Sequence, residues 1–119
     1  MGFGAYMRVT NNKSTPVTTL INDVECMYDS GEGGSNPSYF NNLTIPPGQT
    51  LPSGVGQYIE AKDSGTCFFV SSHFTLQVIG GNAVFITESG HSYSGESATG
   101  VAVHIDNSGD QAQIDIRIS

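Results

Sequence analysis

The sequence predicts an all-β fold, a single antiparallel β-sandwich of about eight or nine short strands with no long helix. Three observations support this. Apolar residues recur at every second position through most of the apolar windows, as in strands that bury one face. Turns marked by Gly, Pro, Asn and Asp separate those windows. No stretch of twelve residues shows a 3.6-residue period with helix caps. The 119 residues suit one domain, 1–119, with a single core. Only 13% of the residues are charged while 37% are hydrophobic, a profile opposite to that of disordered chains. The surface must therefore be built largely from Ser, Thr, Asn, Gln and Gly.

In chain order, residues 5–11 read as a strand with Tyr6 on one face and Met7 and Val9 on the other. Residues 17–27 continue with Val17, Leu20 or Ile21, and Val24 as inward candidates. Residues 39–45 and 57–61 are shorter strands. Residues 66–70 (TCFFV) form a compact apolar run, expected to be buried on both sides. Residues 74–79 and 82–87 flank Gly80-Gly81 and predict a hairpin with a two-residue turn. That turn pairs Leu76 with Phe85 and Val78 with Ala83, and places Ile79, Val84 and Ile86 on the opposite face. Residues 101–105 and 112–118 form a last hairpin around Asn107 to Asp110, with Val103 opposite Ile114 and Ile105 opposite Ala112. No internal repeat is present, which argues against a trefoil or propeller.

Four Lys and Arg against eleven Asp and Glu give a formal net charge of −7. Nucleic-acid binding needs clustered cations, and Arg8, Lys13, Lys62 and Arg117 are scattered, so no nucleic-acid partner is expected. An anionic membrane would repel the fold; neutral ligands, zwitterionic headgroups and cations remain open. The N-terminus lacks the charged and apolar regions of a secretory signal, and Tyr6 stands where a myristoylation motif needs Ser or Thr. No apolar run is long enough for a transmembrane segment. The expectation is a soluble protein, cytoplasmic or exported without a recognisable signal peptide. Cys26 and Cys67 are too few for a disulfide framework and lie outside any C-x-x-C, so two buried thiols are expected. If bonded, they would contribute about 4 kcal/mol on the chain-entropy model.

No G-x-S-x-G, H-E-x-x-H, P-loop or G-x-G-x-x-G is present. His73, His91 and His104 sit in separate segments; His104 is placed outward opposite Gln113, and His73 across a hairpin from Glu88. An enzyme is not expected, and no cofactor is called for except calcium. Asp23, Glu25, Asp29 and Glu32 put four carboxylates within ten residues before a Gly-rich loop, a calcium candidate against the plainer reading of a solvated acidic loop. For ligand binding, two loops stand out. Residues 28–40 offer Tyr28, Asp29, Asn36 and Tyr39; residues 88–97 offer His91, Tyr93 and Glu96. Both mix rings with short hydrogen-bonding side chains, as sugar rings or choline-like headgroups require. The plainer alternative is two ordinary polar loops with a tyrosine as a lid over the core.

Val9 to Ser14 (VTNNKS), Asn42 to Gln49 (NLTIPPGQ), the later Ser64-Gly65-Thr66 and the closing hairpin together resemble the aegerolysin-like proteins. These are small acidic β-sandwiches of fungi and bacteria, and the likeness extends over most of the chain on short motifs. The chain departs from the family in having no Trp, and in carrying Cys67-Phe68 where the family has an acidic residue and Gly. The resemblance implies binding to membrane lipids or lipid–glycan surfaces, in some members as a toxin component that forms pores with a partner. Small fungal and slime-mould lectins share the architecture. The combined expectation is a non-catalytic surface-recognition module for a glycan or a lipid headgroup. The alternative is a structural or storage protein that self-associates as a homo-oligomer through the hairpin at 74–87.

Overall fold

The computed structural model describes residues 3–29 and 34–119. Among them lie ten strands: β1 (Gly4–Asn11), β2 (Val17–Glu25), β3 (Leu43–Ile45), β4 (Thr50–Leu51), β5 (Gln57–Glu60), β6 (Ser72–Val78), β7 (Ala83–Ser89), β8 (Ser92–Gly95), β9 (Val101–Asp106) and β10 (Ala112–Ile118). They form two five-stranded sheets packed as a sandwich, so the predicted fold class holds. In the first, β4 and β5 run one after the other along β1, followed by β10 and β9. The second has the order β3-β2-β6-β7-β8. The helical content among the described residues is short 3₁₀ turns, two of them at Pro37–Phe40 and Gly65–Phe68.

One pairing is not antiparallel. β1 lies parallel to β10, with Ala5, Met7 and Val9 in register with Ala112, Ile114 and Ile116. All six face the core and are essentially solvent-free. The opposing sheet supplies Ile21, Phe74, Leu76, Val84 and Ile86, while Phe40, Ile45 and Ile59 close the side between β2 and β5. Burying each of the larger side chains stabilises the fold by about 1.5–3 kcal/mol. Asn11 is one of four buried polar residues among those described, with Thr19, Ser35 and Ser72. Its Nδ2 donates to Thr15 O and Ile45 O, and its Oδ1 accepts from Lys13 N at 2.9 Å, so the buried amide is satisfied. A Cβ at Gly4 would meet the Tyr58 ring, which would have to move to admit a larger residue there.

The sequence-based registers need correction. In the β6–β7 hairpin three residues, not two, make the connection. Gly81 N donates to Val78 O at 2.9 Å and Val78 N to Asn82 O at 3.1 Å, with Gly80 at φ +78°. Leu76 therefore faces Val84, and Thr75 faces Phe85. A one-residue slip turns every side chain of a strand to the other face. Val84 and Ile86 are thus core, and Phe85 and Ile79 are exposed. Val84 and Ile86 therefore present no apolar face to solvent, whereas Phe85 and Ile79 do. The same slip puts Ser72, not His73, opposite Glu88; His73 pairs with Thr87 and bonds Glu25 across the other edge at 3.1 Å. The β9–β10 hairpin is displaced by two residues, with Ile105 opposite Ile114 and Val103 opposite Ile116. An even slip preserves the faces, so Ile114, Ile116 and Ile118 are inward as expected, and exposed His104 lies opposite Asp115 rather than Gln113.

Residues 39–45 are not one strand: the 3₁₀ turn Pro37–Phe40 comes first and only Leu43–Ile45 is extended. Cys26 and Cys67 are not thiols but a disulfide, with Cα atoms 5.6 Å apart. Residues 66–70 are not doubly buried either; they turn outward. The Cys26→Ala/Cys67→Ala variant removes a cross-link over 41 residues, a loss of about 4 kcal/mol. Calorimetry should show melting lower by roughly 10–20 °C; an unchanged transition would contradict the bond. Ile86→Lys places a charge in the core and should cost on the order of 4 kcal/mol, read as a shifted denaturant midpoint.

Candidate functional site at one end of the sandwich

The topology brings one set of strand ends together. The starts of β1, β6, β8 and β10 and the ends of β2, β5, β7 and β9 lie at the same end of the two sheets. Tyr93 ties the sheets together there. It is 2% exposed, its hydroxyl donates to Phe3 O at 2.7 Å, and Asn107 bonds its backbone on both sides. Burial, reinforced by the nearby Glu88 carboxylate, pushes its phenol upward in pKa. Tyr93 is therefore the lid over the core rather than a group presented to a ligand.

Beyond this lid the 62–71 connection rises from the end of β5. Lys62 N donates to Cys26 O at 2.7 Å at its base, and Gly65–Phe68 makes a single 3₁₀ turn. The next residues break the usual economy of a small fold: Phe68 is 71% exposed, Phe69 85% and Val70 47%. Their rings meet edge to face with centroids 5.0 Å apart. Large apolar side chains grouped on a surface mark an interaction site more often than a single exposed one does. Beside them runs a groove of about 370 Å³, whose walls include Phe3, Lys62, Asp63, Glu88 and His91. Lys62 Nζ also sits 5.2 Å from the Tyr28 ring centroid. His91 takes a left-handed backbone at φ 64°, and its N donates to Glu88 Oε2 at 3.0 Å. Burial raises the Glu88 carboxyl above the usual glutamate range, and the His91 N–H offsets this in part.

The other candidate residues separate. Tyr28 reaches this end through Lys62. Asp29 caps the neighbouring turn, its carboxylate accepting from Ser38 N at 3.3 Å and Ser38 Oγ at 2.6 Å. Asn36 and Tyr39 lie down the side of the sandwich, Asn36 N bonding Tyr58 O and the Tyr39 ring packing on Phe40. There Tyr58 donates to Glu60, and burial followed by that carboxylate pushes its phenol up to about 12. Glu96 is exposed beside Phe85, in a separate shallow groove along β7 and β8. For calcium, Asp23 accepts from Thr75 Oγ1 and Glu25 pairs with His73. Among the described residues no group of three or more His, Cys, Asp or Glu gathers to hold a metal. Glu32 lies outside the described residues. No helix among the described residues is long and apolar enough to cross a membrane.

The tip at 68–70 was not foreseen from the sequence. An uninterrupted apolar run has no alternation to show which way it faces; its signal was the turn chemistry on both sides, Asp63-Ser64-Gly65 and Ser71-Ser72. No protein-family profile and no curated protein sequence matches the chain.

Because the Glu88 pKa is raised in the fold, protonation favours the native state. That stability is fully present below the ordinary glutamate value and is lost as pH rises through the folded value. Glu88→Gln, which keeps an acceptor for His91 N, should therefore melt above wild type at pH 7. The difference should vanish below about pH 4; scanning fluorimetry across pH reads it directly.

Proposed function

We propose that the chain is a non-catalytic surface-recognition module that docks on membranes bearing zwitterionic lipid headgroups. One observation carries this: Phe68, Phe69 and Val70 project from the end of a sandwich whose other large side chains are mostly packed inward. Exposed in water, these side chains gain free energy by entering the apolar edge of a bilayer. The adjoining groove is lined by Glu88 and Asp63, with Lys62 beside them, and by Phe3 and His91. Carboxylates and ring faces are the groups that attract an ammonium headgroup. The charge of −7 favours neutral over anionic membranes. A glycan ligand gains less support, because Phe brings no hydrogen-bonding tip to a sugar.

The test is co-sedimentation with phosphatidylcholine vesicles. Two phenylalanines leaving water contribute about 3 kcal/mol together, so Phe68→Ser/Phe69→Ser should weaken binding on the order of a hundredfold. Its melting temperature should stay that of wild type, since neither ring packs in the core. Binding should persist at high salt and fall when phosphatidylglycerol is added. Equal sedimentation of the variant and wild type would remove the tip from the function.

A further inference from the structure

We infer that the Cys26–Cys67 disulfide is a redox latch for the aromatic tip: oxidised, it holds Phe68 and Phe69 as a docking surface, and reduced, it releases them while the two sheets stay folded. The biological part of this inference rests on the membrane-docking function proposed above; the structural part does not.

The latch joins two unlike regions. Cys26 follows β2 directly and belongs to the framework. The chain bulges between Asn22 and Glu25, with Asp23 at φ 54° and Cys26 itself at φ 55°. Left-handed backbone at non-glycine residues is sparsely populated and is kept where surrounding structure enforces it. Here it turns the chain out of the sheet, where the Cys26 side chain meets Cys67. Cys26 O and the bridge of Met27 with Ala61 fasten the same segment to β5. Cys67, by contrast, belongs to the tip. Residues 64–70 bond among themselves, Cys67 N to Ser64 O at 3.1 Å and Phe69 N to Thr66 O at 3.4 Å. Phe68 and Phe69 stack on each other and not on the core. A segment with little buried apolar surface and few outward bonds opens at low free-energy cost unless it is tied. The disulfide supplies that tie one residue before Phe68.

The chemistry is a thiol–disulfide exchange with a dithiol reductant. Cys67 lines the groove and Cys26 is not among its walls, so the attack is assigned to the Cys67 sulfur. The attacking thiolate forms a mixed disulfide with Cys67 Sγ, the Cys26–Cys67 bond breaks, and Cys26 leaves as a thiolate that takes up a proton. The reductant's second thiol then displaces Cys67 as a thiol and closes the reductant's own disulfide. Two electrons pass to the protein, and the dithiol is oxidised by two.

The sandwich does not depend on the tip, whose exposed side chains add nothing to the strand-borne core. Reduction should therefore leave the far-ultraviolet circular dichroism at 20 °C unchanged. Limited proteolysis by chymotrypsin, which cuts after Phe, should accelerate at Phe68 and Phe69 on the order of tenfold or more in reduced, alkylated protein. The Cys26→Ala/Cys67→Ala variant should behave alike, which excludes an effect of the alkylating group. Equal cleavage rates, or collapse of the sheet spectrum, would overturn the latch. Phosphatidylcholine vesicles provide the second arm. If oxidised protein fails to bind them, the docking function is wrong whatever proteolysis shows. If oxidised and reduced protein bind equally, docking stands and the latch is rejected. Binding by the oxidised form alone supports both.

Discussion

The parallel ladder between β1 and β10 is the constraint on which the rest of the molecule rests. It joins the first strand to the last, so most of the chain is enclosed in one long crossover. Both strands carry apolar residues at every second position, and the parallel register sets Met7 beside Ile114 and Val9 beside Ile116 on one inner face. That face alone is a half-core. The second sheet covers it with Phe74, Leu76, Val84 and Ile86, and the side is closed by Phe40 and Ile59. Because β4 and β5 share the outer edge of β1, the chain is led back from the far end of β3 toward the end where β2 finishes.

That return explains why the site lies where it does. Lys62 leaves β5 within hydrogen-bonding distance of Cys26, so the connection to β6 must rise outside both sheets. Tyr93 is buried at this end, while Phe68, Phe69 and Val70 stay exposed. The exposed side chains of Phe68, Phe69 and Val70 cost solubility and add no buried area, although Cys67 in the same connection carries the stabilising disulfide. Large apolar side chains grouped on a surface in this way mark an interaction site more often than a single exposed one does. Under the proposed function, the charge of −7 would favour neutral surfaces over anionic ones.

Periodicity carried the strands well where one face is buried. The alternation of β1, β6 and β10 was legible because burial demands it residue by residue, whichever neighbour the strand finds. Partners were less legible. The single extra residue in the Gly80-Gly81 connection decides whether Val84 or Phe85 is inside, and composition does not count turn residues. The parallel pairing of the first and last strands was hidden for a similar reason: no local signal records a contact between residues more than a hundred positions apart.

By itself, then, the sequence determined the class, the main strands, the inward side chains of β1, β6 and β10, and the net charge, since each follows from local period or composition. In β2 it left Leu20 and Ile21 open, of which Ile21 is buried, and placed Val24 inward, where the bulge after Asn22 leaves it exposed. It also marked His91 and Tyr28, which lie at the site, but grouped them with Tyr93, which is core, and with Asn36, Tyr39 and Glu96, which lie elsewhere. Only the tertiary structure decided that Cys26 and Cys67 meet and that the run at 66–70 points to solvent. Both depend on the course of a connection between sheets. Its direction is set by long-range register, which no stretch of neighbouring residues encodes.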